Sequence, residues 1–278
     1  QSDLSAYYDY LETHPEETRA LLGDMLIGVT NFFRDREAFE ALERHVIPSL
    51  LQSLKETLPH REEVRVWSAG CSTGEEAYSL AILLSEYMAQ EASSANLQVF
   101  ATDIDDRAIT TARTGLYPEA ILTDVPPNRL RQNFTKENQQ FRIRKDLRES
   151  VLFAQHSLLL DPPFSQIDLV VCRNLLIYLD RKVQREIMQM FHFALRPGGY
   201  LFLGSSESID DCLDLFTPVD KRNRIFRAKS AVNSARRAPT IPRGGYGRTI
   251  AAASVSPPLK PSATHKVALA DIHLRALG

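Results

Sequence analysis

The chain lacks most features that mark specialised protein classes. It has only three cysteines, Cys71, Cys172 and Cys212, in 278 residues, with no C-x-x-C spacing. That excludes a disulfide scaffold and argues against a structural zinc; no metal is expected. No apolar run approaches the roughly 18 residues needed to cross a bilayer, so no membrane insertion is expected. The opening QSDLSAYYDYLE has neither the basic nor the apolar region of a secretory signal. No strand is followed by G-x-G-x-x-G or by Gly-Lys-Ser/Thr, so a dinucleotide fingerprint and a phosphate loop are both missing. These absences point to a reduced, cytoplasmic protein. The missing initiator Met suggests a chain that begins inside a longer one.

What is present is ordinary for a globular chain: 44% apolar and 24% charged residues, 12 Gly and 15 Pro. Collagen, a coiled coil and wholesale disorder are excluded. The net charge of −2 hides an asymmetry. Residues 230–278 hold seven Lys/Arg against Asp271, a balance of +6 that leaves −8 on the first 229. The same stretch has five prolines and one aromatic, Tyr246. It buries too little apolar surface to offset its ordering entropy. Residues 230–264 therefore read as a basic linker, a tether rather than a nucleic-acid arm, and 265–278 as the start of a following segment.

Residues 1–55 read as a helical subdomain. Leu11, Leu21, Leu22, Met25, Leu26 and Ile27 recur near a 3.6 spacing, as do Ala38, Leu42, Val46, Ile47, Leu50 and Leu51. An α/β domain follows over 56–229. Strands are expected at 64–69, 97–102, 151–154, 167–172, 200–203 and 224–226. Helices are expected at 75–90, 106–113 and 181–195, the last stopped by Arg196-Pro197-Gly198-Gly199. Residues 115–150 break the rhythm and suggest a β insertion with a hairpin. Apolar strands alternating with helices imply a doubly wound, mostly parallel sheet.

In such sheets ligands bind beyond the carboxyl ends of the strands. The first strand runs into Gly70-Cys71-Ser72-Thr73-Gly74, and the second ends at Asp103 one βαβ unit later. A glycine turn plus a strand-end acid suits a nucleoside cofactor without pyrophosphate, because the acid takes the ribose hydroxyls. S-adenosylmethionine fits that description. The bland reading is a helix cap and a solvated Asp. The turn also matches the G-x-S-x-G nucleophile elbow of hydrolases. That reading lacks a histidine in the right place: His192 lies within a helix, His265 and His273 in the tail, and His156 precedes any partner acid. Two further segments stand out, Thr30-Asn31-Phe32-Phe33-Arg34 between helices and Cys172-Arg173-Asn174 beyond the most apolar strand.

Together these segments resemble one family. TNFFRD (30–35), VRVWSAGCSTGEEAYSLAILL (64–84), FATDID (100–105), CRNLLIYLD (172–180), LRPGGYLFLGSSES (195–208) and FTPVDKRNRIFRA (216–228) are similar to the CheR family of chemotaxis-type protein-glutamate methyltransferases. The likeness covers about residues 5–229 in order. Its style is closest to the methyltransferase segments of multidomain CheB/CheR-type sensory proteins. The resemblance implies an S-adenosylmethionine-dependent enzyme that esterifies glutamates of a chemoreceptor or related signalling protein and releases S-adenosylhomocysteine. It implies cofactor contacts at Thr30, Arg34, Gly70, Glu75 (methionine end), Asp103 (ribose), Ser157, Leu158, Asn174 and Leu175. It places Arg34 and Tyr178 at the reaction centre. Gly28 and Ser157 stand where the family often has Asn, and the N-terminal helical part is shorter. The hairpin loop Thr135–Gln140 has no glycine, unlike that of members that dock a receptor pentapeptide, so no such tether is expected and a fused neighbour is. The alternatives are a regulatory cofactor-binding domain with little turnover and a small-molecule methyltransferase.

Overall fold

The structure is a computed structural model that describes residues 4–14, 16–17, 21, 30–57 and 63–230. Leu22, Met25, Leu26, Ile27 and Gly28, the linker beyond residue 230 and the 265–278 segment lie outside the described residues. The chain divides into two units. Of the first, residues 4–13 form helix α1 (Leu4–Thr13), with Tyr7, Tyr8 and Tyr10 exposed.

The second unit begins at Thr30. Helices α2 (Arg36–His45) and α3 (Ile47–Thr57) follow, and the residues at helical spacing, Ala38, Leu42, Val46, Ile47, Leu50 and Leu51, are all buried. The α/β alternation is β1 (Glu63–Ala69), α4 (Glu75–Gln90), β2 (Asn96–Asp103) and α5 (Asp106–Thr114). After an intervening segment it resumes as β6 (Val151–Gln155), β7 (Ile167–Cys172), α8 (Arg181–Ala194) and β8 (Leu195–Leu203). Strands β9 (Phe216–Asp220) and β10 (Ile225–Ala228) close it.

The sheet order is β6-β2-β1-β7-β8-β10-β9. The first five strands are parallel, and β10 is antiparallel to both neighbours. Alternate side chains of one strand enter different cores, as period-two geometry requires. Val64, Val66, Val99, Phe153 and Leu169 pack with α2–α5, whereas Trp67, Phe100, Val170 and Leu201 pack with α8 and Phe164. Both faces are covered, so the sheet is doubly wound.

Residues 115–150 carry a second sheet, β3-β5-β4, from β3 (Leu116–Pro118), β4 (Phe134–Glu137) and β5 (Gln140–Ile143). Short helices α6 (Pro127–Asn133) and α7 (Lys145–Glu149) flank them.

Two expectations need correction. Arg196–Gly199 does not separate helix from strand. It sits inside β8, where the register with β7 slips between Ile167↔Leu195 and Leu169↔Tyr200. The polar kink is absorbed as an irregularity of one strand. Strand β9 was not expected at all, because Pro218 interrupts its pattern. It is an edge strand, where a missing N–H is tolerated.

Candidate functional site

Four neighbouring parallel strands, β6, β2, β1 and β7, end on one edge of the sheet, and the loops beyond them build the site. The glycine turn is fixed first. Gly70 and Cys71 donate their amides to Thr102 O at 2.8 and 2.9 Å. Asp103 then braces the turn: Oδ2 accepts from Ser72 N at 2.8 Å, and Oδ1 from Asp105 N at 3.0 Å. A carboxylate has about four acceptor positions, so two remain open to a ligand. Gly74 sits at φ 95°, where a Cβ would meet Ala112 Cβ at 2.9 Å and Phe153 Cζ at 3.0 Å. The tight return into α4 therefore depends on glycine.

The end of β6 joins this edge through His156 N, which donates to Asp103 O at 2.9 Å. Ser157 and Leu158 follow directly. Ser157 N donates to Asp161 Oδ2 at 2.7 Å, and Leu158 packs partly buried on the second core. Beyond β7, Asn174 turns the chain at φ 61° and Leu175 lies against Gly70, whose Cβ would come within 3.1 Å of Leu175 Cδ1. This turn is held by buried Glu207, which accepts from Leu175 N, Leu176 N and Gly204 N at 2.9, 2.8 and 2.6 Å. One carboxylate thus ties the β7 loop to the β8 loop.

The Thr30–Asp35 segment completes the group. Thr30 and Arg34 are half-buried. Phe33 N donates to Ser79 Oγ at 3.0 Å, and Ser79 Oγ donates to Glu75 O at 2.7 Å, so the segment rests on the first turns of α4. Phe33 and Asp35 have φ of 52° and 58°. For a bulky aromatic that conformation is strained, and such strain clusters at functional sites. Asp35 accepts from Arg173 Nη2 at 2.6 Å. The Arg173 guanidinium is buried, 5.3 and 4.8 Å from the ring centroids of Phe39 and Phe202, with Nη1 3.6 Å from Glu76 Oε2.

The two adjacent glutamates diverge. Glu75 accepts from Thr73 Oγ1 at 2.6 Å, beside Tyr117, whose hydroxyl donates to Thr73 O at 2.8 Å. Burial raises the Glu75 pKa, the Thr73 hydrogen bond opposes it, and Asp124 adds to the rise. Glu76 instead accepts from Ser68 Oγ at 2.9 Å, above β1. Burial pushes the Glu76 carboxyl up, Arg173 and Ser68 pull it down, Glu207 adds to the rise and Arg34 opposes it. Of the two carboxyls, Glu76 is the one that the Arg34 charge pulls down. Sequence reasoning passed over Glu76, Glu207 and the inward turn of Arg173. Only the paired Glu-Glu after the turn hinted at one of them.

Of the residues singled out from sequence, Thr30, Arg34, Gly70, Asp103, Ser157, Leu158, Asn174 and Leu175 converge on this edge. Tyr178 stands at its rim, 64% exposed, at the end of a short 3-10 turn, Leu176–Tyr178. A cleft of about 430 Å³ opens on the other side of the Thr30–Asp35 segment, between α2 and residues 123–129. The hydrolase reading finds no support. His156 is buried against Trp67 and Phe164 with Nε2 3.0 Å from Pro162 O. Among the described residues no helix is long and apolar enough to cross a membrane.

Residues 28–225 match the family model described as "CheR methyltransferase, SAM binding domain". The chain is 41% identical over 228 residues to "Uncharacterized 104.1 kDa protein in hypE 3'region" of Rhodobacter capsulatus, covering 81% of this chain but only 23% of that protein. It is 37% identical to "Putative methyltransferase Cher3" of Pseudomonas putida, covering 81% of each. It is 34% identical to "Chemotaxis protein methyltransferase 1" of Pseudomonas aeruginosa, covering 74% of this chain and 75% of that one.

Proposed function

Because the chain belongs to the CheR methyltransferase family, whose S-adenosylmethionine-binding domain spans residues 28–225, we propose that it methylates glutamate side chains of a chemoreceptor or related signalling protein. The observation that carries this reading is the strained Thr30–Asp35 segment, which is tied to the first turns of α4 after the glycine turn and to Arg173 beyond β7. On this reading Arg34 stands beside the bound nucleoside.

The donor set fits the cofactor. Asp103 keeps two acceptor positions for a ribose, Ser157–Leu158 and Asn174–Leu175 supply polar and apolar walls, and Glu76 offers a buried carboxylate for a cationic methionine end. Glu76 takes the role first given to Glu75, whose carboxylate is turned to Thr73. When bound, S-adenosylmethionine supplies an electrophilic methyl on a sulfonium. The chain's own work is then alignment and desolvation. A glutamate side chain with an ordinary pKa of about 4.3 is already an anionic nucleophile at pH 7, so no general base is required. Arg34 holds that carboxylate by its fork, and Tyr178 at the rim orients it on entry.

Incubation with labelled cofactor and receptor cytoplasmic fragments tests the reading. Base-labile methyl incorporated on glutamate is the expected result. Tight binding of S-adenosylhomocysteine with no transfer to any fragment would favour a regulatory binding domain instead, and transfer only to small molecules would favour the third reading.

The hairpin bears on how substrate is found. Strands β4 and β5 are joined by Asn138-Gln139, with Asn138 at φ 55° and Glu137 paired to Arg142 at 2.7 Å. A glycine-free two-residue turn with a charged edge is poorly suited to strand addition. We take the enzyme to meet its substrate directly or through a fused neighbour, in line with the 23% coverage of the Rhodobacter capsulatus protein. Titration with an aromatic-acidic receptor tail peptide is expected to show no binding; micromolar affinity at the hairpin would refute this.

A further inference from the structure

We infer that Arg173 is a positioning residue that sets the reaction-centre arginine, and that it does so by pairing with two acids from different elements, Asp35 just before α2 and Glu76 in the first turn of α4. This rests on the methyltransferase reading above. Three observations meet at its guanidinium.

The first is its grip on the strained segment. Nη2 donates to Asp35 Oδ2 at 2.6 Å, across 138 positions of chain. Asp35 and Phe33 both hold positive φ, on either side of Arg34. A backbone bent that way persists only where its surroundings over-determine it. Its ties include Arg173–Asp35 at one end, where Asp35 O also accepts from Ala38 N at 2.7 Å, and Phe33 N–Ser79 Oγ at the other. Releasing the first removes the ion pair that holds the Asp35 side of the bend.

The second is its reach toward Glu76. Nη1 lies 3.6 Å from Glu76 Oε2, a carboxylate only 12% exposed that the Arg34 charge also pulls down. The charged and titratable groups around Glu76 are Arg173 and Cys172 at the end of β7, Arg34, Glu207 beyond β8, and Cys71 in the glycine turn. Arg173 is the strongest cationic influence among them. Removing its charge raises the pH below which Glu76 is neutral, and a neutral carboxyl holds a cationic ligand group less well.

The third is that the guanidinium is buried against two aromatic rings. It lies 5.3 and 4.8 Å from the centroids of Phe39 and Phe202, which meet each other edge to face, and its side chain is 1% exposed. Nε and Nη1 make no hydrogen bond among the described residues. A buried arginine with so few hydrogen bonds is a poor stability device on its own. Its geometry suits holding Asp35 and Glu76 at fixed positions, which a lysine point charge cannot reproduce.

The test uses Arg173→Lys, Arg173→Gln and, because a buried change can unfold the chain, Asp35→Asn, which takes the charge out of the same tie from its half-exposed side. In the ligand-free protein, amide exchange at Phe33 is expected to rise tenfold or more in all three, with the β-strand amides unchanged. With cofactor and substrate, Arg173→Lys and Asp35→Asn are expected to lower kcat tenfold or more with KM for the cofactor within about threefold. In Arg173→Gln, S-adenosylhomocysteine affinity by calorimetry is expected to fall as pH drops, starting at a higher pH than in wild type. Glu76→Gln in that background should flatten the dependence. Unchanged Phe33 exchange in a folded variant, or a wild-type pH profile in Arg173→Gln, would overturn the inference. A wild type that binds the product but transfers no methyl would sink the functional reading while leaving the exchange and pH results to judge Arg173.

Discussion

Asp103 braces Ser72 and Asp105 through one oxygen each, and on the proposed reading its remaining acceptor positions take the ribose. Asp103→Ala is expected to weaken S-adenosylhomocysteine binding by about 1.5–3 kcal/mol, the usual worth of a hydrogen bond to a charged group. Calorimetry reads it, and unchanged affinity would take Asp103 out of the site. Glu75 gives a prediction of opposite kind. Burial raises its pKa, so the folded state favours the protonated form. A carboxyl raised in this way contributes stability below its unfolded pKa and loses it as pH climbs through the folded value. Glu75→Gln keeps an acceptor for the Thr73 hydroxyl without the charge. The variant should be more stable than wild type to urea at pH 7, and the two should converge near pH 4. At this scale the sequence was a partial guide. Gly70 and Asp103 were legible because strand ends and a glycine turn are written locally. The divergence of Glu75 from Glu76 was not, since one step along a helix decides it by about 100° of rotation. Nor was Glu207, whose partners Leu175 and Leu176 lie more than 30 residues away.

The elements were more readable than the residues, and for a physical reason. Helix α4 and strands β1, β2 and β7 fall within a residue or so of expectation, because a buried parallel strand is apolar throughout and an amphipathic helix repeats every 3.6 residues. Errors came where polar or proline residues sit inside a strand. The kink in β8 and Pro218 in β9 are legal only because the first is a register slip and the second lies on the sheet edge. The turn into α4 is the element junction most exposed to mutation. Gly74→Ala must take φ 95° and set a Cβ within 2.9 Å of Ala112 Cβ. It is expected to cost about 1–3 kcal/mol of unfolding free energy, measured by urea denaturation, with loss of product binding in the folded fraction. A neutral result would mean that the turn relaxes without glycine.

At the scale of the whole molecule, the proposed site draws on residues 30–35, 70–76, 103, 157–158, 172–178 and 204–207, each group brought in by a different strand or segment. On that reading the ligand binds only the complete sheet. Saturation with S-adenosylhomocysteine at 100 times its Kd should add about 2.7 kcal/mol, which for a domain of this size is a rise in Tm of about 5–10 °C. A thermal scan without any rise would mean that the product does not bind the folded state. The same assembly has a consequence for biosynthesis. Asp35 leaves the ribosome 138 residues before Arg173. At about 5–20 residues per second, its partner arrives roughly 7–30 s later. Until then the segment bearing Arg34 has no ion pair to hold its bend, and Phe39 has no cation to stack on. The first loop of the site to be made thus waits 138 residues for its ion pair, so a nascent chain halted before residue 173 would present α2 and its aromatic face to chaperones rather than to cofactor.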